Sequence, residues 1–142
     1  MMRYRNILLL LDLTTDSEHI VAAGRDLAAA SGAQLIALHV VEFLPVEPLG
    51  EVVVPMPDVE QELIKHAQNG LAALLQRTGV AARSRVESGN TKAEILRVAN
   101  EEQADLIVLG SRERHGLAIL VNFTEDTVLH AAHCDVLAVR LK

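Results

Sequence analysis

A doubly wound parallel α/β sheet of five strands with helices on both faces is the fold class this sequence predicts. Three observations predict it. Short apolar runs alternate with amphipathic stretches along the chain, the rhythm of buried strands joined by crossover helices. At 142 residues, with 50% hydrophobic and 23% charged, the chain has the size and make-up of one globular domain, read here as residues 1–142. Only 2% of the residues are aromatic, so the core must be aliphatic.

Five runs read as strands: NILLLLD (6–12), QLIALHVV (34–41), ARSRVES (82–88), DLIVLG (105–110) and DVLAVRL (135–141). Four are apolar enough to be buried on both faces. The third alternates Ala82, Ser84 and Val86 with Arg83, Arg85 and Glu87, which places it at a sheet edge with one face toward water. The first helix is expected over 16–31. Thr15 and Glu18 form a capping box, Ile20, Ala23, Leu27 and Ala28 make a stripe, and Gly32 provides the stop. A second helix begins at Pro57 and ends before Gly79, with Val59, Leu63, Ile64, Ala67, Leu71, Leu74 and Leu75 at helical spacing. Thr91 and Glu94 suggest another capping box, ahead of Ile95, Val98 and Ala99 on the inner side. The last helix should lie within 117–132. The segment 43–57, FLPVEPLGEVVVPMP, carries all four prolines and reads as a long loop, either packed against a partner subunit or closing over a site.

Charge and cysteine content exclude several classes. A formal charge of −6 disfavours nucleic-acid binding unless Arg83, Arg85 or Arg112 cluster locally. The lone Cys134 permits no internal disulfide and suits a reducing compartment, the cytoplasm. The apolar run Ile7–Leu11 is too short for a signal sequence, and no run approaches the roughly 20 apolar residues that cross a bilayer.

In that order along the chain, YRNILLLLDLTTDSEHIVAAGRDLAAASGAQLIALHVVE, SGNTKAEIL (88–96), ADLIVLGSR (104–112) and HCDVLAVR (133–140) together resemble the universal stress protein family over nearly the whole length. The resemblance implies the strand order 3-2-1-4-5 and a homodimer formed through the fifth strand. Val136, Leu137, Ala138, Val139 and Leu141 would give that strand an apolar edge, and an edge of this kind invites a partner.

Nucleotide-binding members of the family carry Gly, two residues, Gly, nine residues, then Gly and Ser or Thr. Small residues let backbone N–H groups approach phosphate oxygens at a helix N-terminus. Here Gly110 matches the first position, but the second holds Glu113, and the final pair falls on Asn122–Phe123 or Phe123–Thr124. Glu125 and Asp126 then place carboxylates in the first helical turn, each worth about 0.3–1 kcal/mol at the positive helix end, where a phosphate would otherwise sit. Arg112 and Arg114 favour phosphate, and Gly116 offers another tight turn. By resemblance, a nucleotide would lie among Asp12, Val40, Gly110, Arg112, Arg114, Gly116 and Thr124. Asp12 would face the ribose, or else cap its own turn through Thr14. DLT at 12–14 resembles UspA-type members that lack the nucleotide motif.

Other chemistry finds little support. A receiver domain would need an Asp ending strand three and a Lys ending strand five, where VES and Arg140 stand. An adenylating enzyme would need a Gly-rich loop after strand one, where DLTTDSEH stands. His130 and His133 sit near a helix end, His39 reads as a satisfied strand histidine and Cys134 as a small hydrophobe, so no metal site is expected. The expectation is a non-enzymatic UspA-like homodimer without cofactor, working through an unknown protein partner. The alternative is an ATP or adenine-nucleotide switch of the same fold.

Overall fold

The computed structural model describes residues 3–42, 57–112, 128 and 130–141. The strands are β1 (Asn6–Leu10), β2 (Gln34–Glu42), β3 (Arg83–Gly89), β4 (Leu106–Arg112) and β5 (Asp135–Leu141). Three helices are described in full: α1 (Ser17–Ser31), α2 (Pro57–Thr78) and α3 (Thr91–Glu101). Val128, His130 and Ala131 are also helical, within the span expected for the last helix.

All strand pairs are parallel, in the order β3-β2-β1-β4-β5. The sheet separates two aliphatic layers, because successive strand residues point to opposite faces. Ile7, Leu9, Leu11, Leu35, Ala37, Leu106 and Val108 face one way and meet Ile20 and Val21 of α1 with Leu71 and Leu74 of α2. Leu8, Ile36, Leu38, Val40, Ile107 and Leu109 face the other and meet Ile95, Val98 and Ala99 of α3 with Val128.

Helix α1 approaches the sheet closely at Gly24, where an added Cβ would lie 2.3 Å from Leu9 Cδ2. The helix stops at Gly32, whose left-handed φ of 70° lets its N–H and that of Ala33 bond the carbonyl of Ala28. Helix α3 ends in a similar turn without a glycine. Gln103 takes φ 52°, its N–H bonds Asn100 O, and the Ala104 N–H bonds Ala99 O.

Four local expectations need correction. Neither capping box forms. Asp16 occupies the cap of α1 but its side chain accepts no capping bond from the helix amides, and Asn90 caps α3 by accepting from the Ala93 N–H at 3.0 Å, its extended backbone placing the carboxamide oxygen over that amide. Glu94 turns instead to Arg97, 2.6 Å away. On α2 the inward stripe runs through Ile64, Ala67, Leu71 and Leu74, while Val59 and Leu63, one position off it, are 41% and 43% exposed. Finally, β5 is not buried on both faces. As an edge strand it leaves Leu137 39% exposed and Ala138 exposed, while Leu141 is buried and Val139 packs on the α1 side. The loop expected over 43–57 lies outside the described residues except for Pro57, which opens α2.

Candidate functional site

The strand order reverses between β1 and β4, and open α/β sheets bind ligands beyond the carboxyl ends of such strands. Asp12 and Ser111 each lie three residues past Leu9 and Val108, which are paired in the register. The site thus consists of the turn after β1 and the exit of β4, flanked by Val40 near the end of β2.

The turn after β1 is tightly specified. Asp12 Oδ1 accepts from the Thr14 N–H (3.1 Å), the Thr14 hydroxyl (2.8 Å) and the Ser17 hydroxyl (2.9 Å). Ser17 is fully buried. Partial burial raises the carboxyl's pKa, but the hydrogen bonds from Thr14 and Ser17 to its ionised form outweigh that, and the net shift is downward. Leu13, between the carboxylate and Thr14, is held at φ 63°, a left-handed conformation that costs a non-glycine residue about 1–2 kcal/mol. Its side chain packs on the α1–α2 layer of the core.

His39 braces the same turn from β2. Its Nδ1 lies 2.7 Å from the Leu11 carbonyl oxygen, and because a carbonyl only accepts, Nδ1 carries the proton. The reading of His39 as a satisfied strand histidine agrees with this contact.

The β4 exit has a packing constraint of its own. A Cβ on Gly110 would fall 2.5 Å from Leu141 Cδ1 and 3.1 Å from Ile20 Cδ1. Gly110 therefore leaves room for the seated side chains of Leu141 and Ile20, whether or not a phosphate approaches it. The backbone of Arg112 ends β4. The Arg112 side chain and all of Glu113, Arg114, Gly116, Asn122, Phe123 and Thr124 lie outside the described residues.

The structure brings together Asp12, Val40 and Gly110, and it adds Leu13, Ser17, His39 and Leu141, none of which the sequence reading placed at the site. A signal for Ser17 was present: hydroxyl residues at the second and fifth positions after an Asp are suited to folding back onto its carboxylate.

Of the arginines suspected of forming a basic patch, Arg83 and Arg85 face acids, and the Arg112 side chain lies outside the described residues. Arg85 lies 3.2 Å from Glu101, 3.3 Å from Glu102 and 3.4 Å from Glu87, and Arg83 lies 2.5 Å from Glu102. Arg97 joins Glu87, Glu94 and Glu101, contacts that drive its pKa up and that of Glu101 down. Burial, reinforced by Asp135 and Asp105, pushes the Cys134 thiol up and keeps it protonated. Among the described residues no cluster of His, Cys, Asp and Glu is suited to hold a metal ion, and no helix is long and apolar enough to cross a membrane.

Comparison with known proteins agrees with this architecture. Universal stress protein A homolog 1 of Coxiella burnetii is 34% identical, with 99% of each chain covered, and homolog 2 of the same organism is 36% identical over 98% of this chain and 97% of its own. The solved UspA of Lactobacillus plantarum superposes with a TM-score of 0.77 at 24% identity, covering 99% of this chain and 100% of that one. A universal stress protein solved in complex with cAMP superposes at 0.65 with 23% identity, covering 97% and 98%. At those identities the two structures establish the fold alone. The model of the universal stress protein family matches residues 3–140, and the chain therefore belongs to this family of stress-response proteins.

Proposed function

We propose that the chain is a non-enzymatic, cytoplasmic homodimer that acts in the stress response through contacts with a protein partner. The observation that carries this reading is the β5 edge. Val136 and Val139 pack inward, but Leu137 and Ala138 are left exposed on a strand that no other described strand covers on its outer side. Pairing with a second copy would close that edge symmetrically. The protonated thiol of Cys134 and the hydrogen-bonded carboxylate of Asp12 support a binding role over a catalytic one. The glutamates around Arg83 and Arg85 argue against a nucleic-acid partner.

Sedimentation tests the dimer. Wild type should sediment as a dimer and Leu137→Lys as a monomer with nearly unchanged melting temperature, whereas a variant that stays dimeric refutes the β5 interface. Leu137 is the residue to change because Val139 packs against the core, where a charge would disturb folding as well.

A second reading is favoured by the position of Asp12 at the switch point and by the cAMP complex of the structural relative. In it, an adenine nucleotide occupies the crevice with Asp12 on the ribose and Val40, Gly110, Arg112, Arg114, Gly116 and Thr124 around it. Ligand at 100 times its dissociation constant would add about 2.7 kcal/mol of stability. Protein purified from cells that releases no nucleotide on denaturation, and whose melting temperature does not move in millimolar ATP, excludes this reading.

A further inference from the structure

The exit of β4 and the free edge of β5 are built as one mechanical unit. Gly110, Ser111 and Arg112 pair with Val139, Arg140 and Leu141, so the last three residues of each strand share one stretch of ladder. Leu141, the last described residue, is 6% exposed, because its isobutyl group fills the space that a side chain at position 110 would occupy, against Ile20 of α1. The outward residues Leu137 and Ala138 lie immediately upstream on the same strand.

From this we infer that the Gly110–Leu141 contact couples the switch-point crevice to the β5 edge. Displacing Leu141 from its notch unseats the C-terminal half of β5 and weakens self-association, although Gly110 itself lies one strand in from the edge. Any group that enters the crevice and shifts the β4 backbone at Gly110 acts on the dimer through the same contact. By thermodynamic reciprocity, dimerisation then alters affinity in the crevice by the same factor. Packed contacts of this kind transmit strain because interiors are dense and do not deform continuously. The inference rests on the proposed β5 dimer.

Gly110→Ala and Leu141→Ala, singly and combined, provide the test. Self-association is read by sedimentation and the local state of β5 by amide exchange at Val139, Arg140 and Leu141. Gly110→Ala is expected to weaken dimerisation at least about tenfold, roughly 1.4 kcal/mol, and to speed exchange at those three amides. Once Leu141 has been truncated, the added Cβ keeps only its 3.1 Å approach to Ile20 Cδ1, so the double variant should lie close to Leu141→Ala alone. Should Gly110→Ala dimerise and exchange like a dimeric wild type, the coupling is overturned while the dimer stands. Wild type that sediments as a monomer at every concentration overturns the dimer itself. If the effects of the two single changes simply add, the contact is not the route of coupling.

Discussion

Gly24→Val is expected to lower the stability of the fold by about 3 kcal/mol. At about 3 °C per kcal/mol for a chain of this size, the melting temperature should fall by roughly 10 °C. An added Cβ would already lie 2.3 Å from Leu9 Cδ2, 3.1 Å from Cδ1 and 3.2 Å from Cγ, so the whole isobutyl group stands in the way. Leu9 has nowhere to go, being fully buried on the central strand and flanked by β2 and β4. Valine is a somewhat better helix former than glycine, but the gain of a few tenths of a kcal/mol is small beside the clash. Alanine brings nearly 1 kcal/mol of helix propensity and a smaller intrusion, so Gly24→Ala should cost only about 1 kcal/mol. The clash has a specific remedy. Leu9→Ala on its own should cost about 2–5 kcal/mol through the cavity it leaves. In the Gly24→Val background its cost should be smaller by 1 kcal/mol or more, since each change fills or vacates the other's space. Strictly additive losses in thermal or urea unfolding would show that the helix and strand are not in contact as described.

Asp12→Ala should cost about 2 kcal/mol, most of it from the Ser17 hydroxyl, which is fully buried and loses its acceptor. The two bonds from Thr14 are exposed and contribute less. The same change also removes what holds Leu13 in its left-handed turn. The pH dependence has a definite sign. The folded-state pKa of Asp12 lies below its unfolded value of about 3.9, so the stabilisation is complete above that pH. It is lost as pH falls through the folded value. The difference in unfolding free energy between wild type and Asp12→Ala should therefore be constant near neutrality and shrink in acid. A gap that persists unchanged however far the pH is lowered below the unfolded value would mean that the ionised carboxylate is not what Ser17 and Thr14 bind. An Asp12 serving only a ligand predicts the opposite pattern, with no loss of stability in the free protein.

The parallel strands and their order were legible because buried strands announce themselves as unbroken aliphatic runs, as in ILLL of β1 and LIAL of β2. The helix stop at Gly32 was legible because few residues other than glycine favour φ 70°. Less visible was anything set by contact between distant segments. Nothing near position 110 announces that Leu141 fills the space beside it, and nothing near position 24 announces Leu9. The capping boxes failed for a related reason. Asn90 is an equally good cap one residue earlier, and Glu94 has a competing attraction in Arg97 that sequence spacing alone does not weigh. At the candidate site, Asp12 and Gly110 were recognised by position along the chain. That Asp12 is also a structural latch required knowing that Ser17 points inward.

The two borders of the sheet differ in a way that bears on stoichiometry. A parallel sheet with two equally bare borders would let the β5 of one copy lie along the β3 of the next, and such head-to-tail stacking never closes on itself. On β3, however, Arg83, Arg85 and Glu87 are committed to Arg97 and Glu101 of α3 and to Glu102 just after it, leaving a border dense with charge that a hydrophobic strand would have to desolvate. On β5 the exposed Leu137 and Ala138 present an apolar stretch instead. Growth would thus be discouraged in one direction and admitted in the other, so that the proposed β5 pairing would end at two copies instead of extending into fibres.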